Sequence, residues 1–251
     1  ARRATAPGSI PRRGQDGPEM EPGQQPRRWW ALVQRYAHFS AFLLLVIATY
    51  VAWSLLAYGG WTGFLLVAVT CVTGLQGMVS AARGRPPGAW ALALAGVACA
   101  LALVGALADL EPCLSVASLL AILVVAACIV VVVRDIVLAQ EVTADSILGA
   151  VSVYSLLGIL FAHAYGAVHH LGAQPFFAGH PGADGSDFIF FSYTTLTTTG
   201  YGDLVPSGQP GELLAGLEML VGQIFLVTLV ARLVAVWKPG ERLRARRGGG
   251  D

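Results

Sequence analysis

Residues 195–206 read TLTTTGYGDLVP and place Gly200 and Gly202 two positions apart, directly after a run of threonines. A backbone that points consecutive carbonyl oxygens at one axis must alternate between right-handed and left-handed conformations, and glycine adopts the left-handed one at little cost. A ring of such carbonyls can replace the water shell of an alkali cation, and the Thr198 hydroxyl can add a further oxygen. One chain provides only one such strand, so several copies must meet around an axis. The segment therefore predicts a site for a dehydrated monovalent cation.

The rest of the chain is typical of a membrane protein. Of its 251 residues, 55% are hydrophobic and 12% are charged, and the mean hydropathy is +0.65. This is too apolar for an ordinary soluble domain. Because a helix needs roughly 20 apolar residues to cross a bilayer, we predict an all-α membrane protein with six transmembrane helices. The predicted spans are residues 38–58, 61–81, 88–108, 113–133, 146–168 and 213–236.

The basic residues are placed unevenly along this arrangement. All 16 Lys and Arg residues lie before the first span, in the second connection, just after the fourth span, or at and beyond the end of the sixth. The connections on the opposite side contain none. By the positive-inside rule, both termini are cytoplasmic in a multi-pass protein of the plasma (inner) membrane.

The two ends of the chain are predicted to be basic cytoplasmic tails. Residues 1–37 are polar and the first apolar run is 21 residues long, which indicates a membrane anchor rather than a cleavable signal peptide. We expect residues 1–37 to be a disordered tail with Trp29 and Trp30 at the membrane interface. Residues 238–251 form the second tail. Its arginines are candidates for attracting anionic lipids: Arg242, Arg244, Arg246 and Arg247.

Three further parts lie between the tails. Residues 38–133 are predicted as a four-helix transmembrane domain, residues 134–145 as a cytoplasmic connector, and residues 146–237 as the domain that holds the cation site. In the long connection before the sixth span, Ser186 and Asp187 indicate a helix start. The following FIFFSYTTLTT is apolar enough to enter a membrane but too short to cross it. We therefore predict a re-entrant helix followed by an extended segment.

The sequence TTGYGD at residues 198–203 resembles the signature filter of the tetrameric potassium channels. The resemblance covers residues 146–237 and implies an outer helix over 146–168, a pore helix over 187–197, a filter over 198–203 and an inner helix over 213–237. It also implies a homotetramer that binds and passes K⁺, with no other cofactor. The ion ligands would be the carbonyls, and one hydroxyl, of Thr198, Thr199, Gly200, Tyr201 and Gly202.

The same resemblance implies roles for residues around the filter. Gly222 corresponds to a hinge glycine of the inner helix. The residues expected to support the filter are Asp203, Phe190, Phe191, Thr194 and Glu218, and those expected to line the cavity are Gln223, Leu226, Val227 and Val230.

Two departures from the family pattern leave alternatives open. Thr199 stands where Val or Ile is usual, and Phe190 and Phe191 stand where many members carry tryptophans. The alternatives are a poorly selective monovalent cation channel and a non-conducting scaffold or regulatory subunit with the same fold. The chain contains no HExxH or GxSxG arrangement, so we do not expect an enzyme.

Charged and titratable residues bear on regulation. The fourth span has no basic residue before Arg134 at its end, so we predict weak or no intrinsic voltage dependence. Glu218 is an acid within a span, and we expect either a scaffold bond to Thr199 or another pore-helix hydroxyl, or a gating or proton-sensing role. The candidates for external pH sensing are His163, His169 and His170, with His180 nearby in sequence.

Overall fold

The computed structural model describes residues 25–56, 60–82, 86–108, 110–138, 144–172 and 174–236. In these ranges the chain is helical and contains no strand, so the predicted all-α class is confirmed at that level. Isolated bridges join Phe177 to His180 and to Pro206. The helices are α1 (Gln25–Leu55), α2 (Gly60–Ala81), α3 (Ala89–Ala108), α4 (Glu111–Leu138), α5 (Ala144–Leu171), α6 (Gly185–Leu196) and α7 (Gln209–Val236).

Five of these helices, α2 to α5 and α7, are long and apolar enough to cross a membrane. The chain is therefore a membrane-embedded, multi-pass helical protein. The apolar part of α1 covers Phe39–Leu55 and is shorter than the other five. The predicted first span, 38–58, reaches beyond it into residues outside the described ranges, so the count of six spans is not confirmed.

The helix bounds differ from two predicted boundaries. Helix α1 begins at Gln25, inside the stretch predicted as a disordered tail. The last proline of that stretch is Pro26, and proline is compatible with the first turn of a helix, so nothing after it interrupts the helix. Both ends of the predicted connector 134–145 belong to helices, because α4 continues to Leu138 and α5 begins at Ala144, while residues 139–143 lie outside the described residues. Residues 1–24 and the basic tail 238–251 lie outside the described residues.

Small side chains allow α2, α3 and α4 to pack closely on one another. A Cβ atom added to Gly74 of α2 would lie 2.9 Å from a methyl group of Val124 on α4. Helix α1 joins α2 through the hydroxyl groups of Thr49 and Thr73, which are 2.7 Å apart. The buried side chains shared by the three helices are mostly Ala, Val and Cys: Val67, Cys71, Ala95, Ala98, Ala102, Leu114, Ala117, Ala121 and Val124.

The four leading helices are connected to the rest through α5. Helix α4 packs against α5, and α5 packs against both α6 and α7. Helix α1 also reaches α6, since the rings of Tyr50 and Tyr193 are 4.7 Å apart. The short helix α6 is thus held between α1, α5 and α7 of its own chain, and it leads directly into the glycine-rich segment.

Candidate functional site

Helix α6 begins with a reciprocal cap. The Asp184 carboxylate accepts hydrogen bonds from the backbone N–H groups of Ser186 (2.8 Å) and Asp187 (3.3 Å). The Asp187 carboxylate accepts one from the N–H of Asp184 (2.9 Å). This capping box fixes the first turn and places the helix start at Gly185, two residues before the predicted start of 187. The spacing of Asp184 and Asp187 is the signal that would have given the earlier start.

Beyond α6, the backbone of the TTTGYGD segment (residues 197–203) alternates in hand. The φ angles of Thr198, Gly200 and Gly202 are 58°, 51° and 83°, whereas Thr199 and Tyr201 have no positive φ. The alternation expected from the two glycines is present. The alternation begins two residues before Gly200, at Thr198. A left-handed conformation costs an L-residue such as threonine about 1–2 kcal/mol. Such a strand can present successive carbonyl groups to one side.

The beginning of this segment is tied to the end of α6 by backbone hydrogen bonds. The carbonyl oxygen of Thr194 accepts from the N–H groups of Thr199 (2.8 Å) and Gly200 (3.1 Å), and the carbonyl of Thr195 accepts from Thr198 (3.0 Å). Thr194 therefore contacts the segment through its carbonyl group. Its hydroxyl donates to Phe191 instead.

The hydroxyl group of Thr199 has a partner within the segment. The Thr197 hydroxyl donates to the Tyr193 carbonyl at 2.6 Å, and the Thr199 and Thr197 hydroxyl oxygens are 2.8 Å apart. Because the Thr197 proton is already committed, Thr199 is the donor of this pair. The hydrogen bond between Thr199 and Glu218, one of the two that the sequence suggested for this acid, is not formed.

Phe190 and Phe191 occupy different environments. The rings of Phe190 and Tyr201 are stacked, with centroids 5.9 Å apart and an interplanar angle of 4°. Phe191 is buried and packs edge-on against Tyr165 and Phe177. Phe190 therefore contacts the TTTGYGD segment directly, while Phe191 belongs to an aromatic cluster behind α6.

Asp203 is exposed, and its carboxylate accepts from the N–H of the next residue, Leu204, at 3.0 Å. This bond closes a local turn and ties the carboxylate to its own loop. Phe190 carries no ring N–H group that could serve it.

Glu218 is fully buried between three helices. Its carboxyl oxygens lie 2.5 Å from the Tyr165 hydroxyl of α5 and 2.5 Å from the Ser192 hydroxyl of α6. The Ser192 oxygen is also 2.7 Å from the carbonyl oxygen of Gly158 on α5. The acid thus contacts a hydroxyl on α6, at Ser192. The sequence did not identify Ser192 or Tyr165 as partners of Glu218, because no local spacing relates α5 and α6 to α7.

Two further tyrosines hold α6 against α5. The Tyr154 hydroxyl donates to the carbonyl oxygen of Leu196 at 3.0 Å, and the Tyr193 hydroxyl donates to the carbonyl of Ser155 at 2.7 Å. These bonds were not predicted. They fix the last turn of α6, from which the TTTGYGD segment emerges.

Gly222 lies where α7 passes the end of α6. Helix α7 is continuous through this residue. A Cβ atom added there would lie 2.7 Å from Leu196 Cδ1 and 3.1 Å from the Leu196 carbonyl oxygen. A side chain at this position would therefore require Leu196 to shift.

One face of α7 is not covered by any of the described residues. Only 17% of its apolar stretch is buried, against 61% for α5. The residues predicted to line a cavity are all on the uncovered part: Gln223, Leu226, Val227 and Val230.

The histidines do not form one cluster in a loop. His163 is only 2% exposed, with its ring 4.5 Å from that of Trp53, and its role in external pH sensing stays a prediction. The rings of His169 and His170 are 5.3 Å apart, and His169 Nδ1 accepts from a backbone N–H. The exposed His180 pairs with the Asp187 carboxylate at 3.0 Å.

Residues 150–238 match a family model whose description is ion channel. No curated protein and no solved structure matches the chain significantly. The matched range contains α6, the TTTGYGD segment, α7 and most of α5. The match supports an ion channel domain in this part of the chain, so the channel class predicted from the sequence is confirmed at that level.

Proposed function

We propose that the protein is a potassium-selective channel, in which K⁺ passes along the carbonyl oxygens of residues 198–202. The observation that carries this proposal is the alternation of backbone hand at Thr198, Gly200 and Gly202. A dehydrated alkali cation needs a close shell of oxygens to replace its water. Alternating conformations supply such oxygens from one short strand.

We infer that four copies of the chain assemble around the conduction axis. The TTTGYGD segment is exposed in the single chain, with Tyr201 71% exposed, and one strand cannot surround an ion. Helix α7 follows the loop that contains this segment. One face of α7 is apolar and is not covered by the described residues. Closed rotational symmetry would cover this face and complete the ion sites together.

We place α6 as a re-entrant helix. Its 12 residues are too short to cross a bilayer, and its last turn is hydrogen-bonded to the TTTGYGD segment. The C-terminal end of a helix carries partial negative charge. Four such ends directed toward a central cavity would favour a cation there.

We propose that opening does not depend intrinsically on voltage. Helix α4 contains one basic residue, Arg134, and Asp135 follows it directly. Each charge that crosses the field contributes about 2.3 kcal/mol per 100 mV, so a voltage sensor requires several. The placement of basic residues favours cytoplasmic termini in the plasma (inner) membrane.

A poorly selective cation channel is the second candidate. Phe190 contacts Tyr201 by stacking alone, so the TTTGYGD segment lacks a hydrogen bond from this side chain that would hold its width. A segment that can widen would admit hydrated or larger cations. A non-conducting subunit with the same fold is the remaining alternative.

Flux of K⁺ into liposomes that contain the purified protein tests whether the chain conducts. We expect K⁺ uptake, and we expect Gly200→Ala to lower it by about tenfold or more, because Gly200 has φ +51° and a left-handed conformation costs alanine about 1–2 kcal/mol in each copy of the chain. Gly208→Ala is the matched control, since Gly208 has an ordinary φ and open space around its Cβ position. Unchanged uptake in Gly200→Ala would contradict the proposal, and absence of uptake in the wild type would favour the non-conducting alternative.

A further inference from the structure

The contacts of Glu218 leave one proton unaccounted for. Ser192 has a single hydroxyl proton, but its oxygen lies 2.7 Å from the Gly158 carbonyl oxygen and 2.5 Å from Glu218 Oε1. A carbonyl oxygen and an ionised carboxylate oxygen can both only accept. Ser192 can donate to one of them, and the other contact would then lack a proton. A proton on Glu218 Oε1 removes this conflict.

Among the described residues, no positively charged group contacts Glu218. The described residues that contact its carboxyl group are Tyr165 and Ser192, both neutral. The other titratable groups that face it are phenols, Tyr154 of α5 and Tyr193 of α6. Both phenols donate to backbone carbonyls, so they keep their protons. An isolated buried carboxylate is costly, and a neutral acid avoids that cost.

We propose that Glu218 is a protonated carboxylic acid in the native channel and that its proton sets the direction of a hydrogen-bond chain through three helices. The Tyr165 hydroxyl donates to Glu218 Oε2, the Glu218 Oε1–H group donates to Ser192 Oγ, and the Ser192 hydroxyl donates to the Gly158 carbonyl. Every oxygen in this series of hydrogen bonds has a partner. The series connects α7 to α6 and α6 to α5.

Loss of the proton has a defined structural consequence. When Glu218 releases its proton to solvent, Ser192 must turn its only proton toward the carboxylate, and the Gly158 carbonyl loses its donor. The α6–α7 bond between Glu218 and Ser192 is then kept with its direction reversed, and the α6–α5 bond is lost. Because α6 carries the TTTGYGD segment, this loss releases one tether of the conduction site. The consequence for conduction rests on the proposed channel function, whereas the protonation of Glu218 does not.

Infrared spectroscopy of the purified protein tests the protonation state without requiring conduction. A protonated carboxylic acid has a C=O stretch at higher frequency than the amide bands, whereas a carboxylate does not. The spectrum of wild type minus Glu218→Gln at neutral pH should contain this acid band, and the band should shift in D₂O. Glu212→Gln, an exposed acid of the same helix, is the control and should remove only carboxylate bands. A Glu218 difference spectrum with carboxylate bands alone overturns the proposal.

A second variant covers the case in which Glu218→Gln does not assemble. In Ser192→Ala the acid loses its acceptor, so its C=O band should remain and move to higher frequency. An unchanged band position would overturn the proposed donor role of Glu218 toward Ser192.

The dependence of K⁺ flux on pH tests the consequence for conduction. We expect flux through the wild type to fall about tenfold at alkaline pH, the scale of one lost hydrogen bond, and to recover when the pH is returned. Glu218→Gln has no such proton to lose, so its flux, whatever its level at neutral pH, should not change over the same pH range. An equal alkaline fall in both proteins would overturn the tether mechanism. Absence of flux with the acid band present would instead count against the proposed channel function.

Discussion

The packing of Gly222 against α6 gives a quantitative prediction. A methyl group at this position would overlap Leu196 Cδ1 at 2.7 Å and press on the Leu196 carbonyl oxygen at 3.1 Å. Gly216, on the same helix, has nothing within 4 Å of its Cβ position in the protomer. The pair Gly222→Ala and Gly216→Ala therefore separates close packing from helix propensity.

The expected magnitudes follow from two opposing effects. Replacing a helix-interior glycine by alanine stabilises the helix by about 1 kcal/mol, and this gain is common to both variants. Overpacking by one methyl group costs about 1–3 kcal/mol and applies to Gly222→Ala alone. We expect Gly216→Ala to be neutral or stabilising, and Gly222→Ala to be less stable than Gly216→Ala by about 1–3 kcal/mol.

Unfolding of the purified protein in a denaturing detergent measures both variants on one scale. The overlap should be relieved by Leu196→Val, which removes Cδ1, so the cost of Gly222→Ala should fall by about 1 kcal/mol in that background. If Gly222 serves only as a hinge, the cost of Gly222→Ala will not depend on Leu196. Equal effects of Gly222→Ala and Gly216→Ala, or no coupling to Leu196, would refute the packing argument.

Three further predictions concern selectivity, stability and gating. Phe190→Ala removes the stacking on Tyr201, which is worth about 0.5–1.5 kcal/mol, and should lower the ratio of K⁺ flux to Na⁺ flux. Phe190→Trp keeps an aromatic ring and should not lower it. An unchanged ratio in Phe190→Ala would count against a supporting role of Phe190. Tyr154→Phe deletes the hydrogen bond to the Leu196 carbonyl and should lower the free energy of unfolding in detergent by about 1 kcal/mol. An unchanged free energy of unfolding would mean that the bond is absent or replaced. Planar-bilayer records should show an open probability that changes little with voltage, because Arg134 is the one basic residue of α4, and steep voltage dependence would contradict this.

The TTTGYGD segment was predictable from the sequence because its chemistry is local. Glycines two residues apart permit a left-handed conformation wherever they lie, and the apolar runs around them reveal membrane helices by composition alone. The same reasoning could not give the start of α1, because Arg27 and Arg28 are typical of a polar tail, although residues 27–55 contain no glycine or proline.

The partners of Glu218 were not predictable in the same way. An acid in a span signals a polar contact, and its spacing from Gly222 gives the face of α7. Which hydroxyl it meets depends on the packing of α5 and α6, which no local pattern encodes. The same limit applies to Tyr154 and to His163, whose burial against Trp53 follows from the position of α1.

We propose above all that backbone oxygens of residues 198–202 replace the water around K⁺. The reversal potential of the reconstituted channel under opposing K⁺ and Na⁺ gradients is the direct test of this proposal. The account predicts a reversal potential close to the K⁺ equilibrium potential, with Rb⁺ able to substitute for K⁺. A reversal potential midway between the K⁺ and Na⁺ values would contradict it and favour the poorly selective channel.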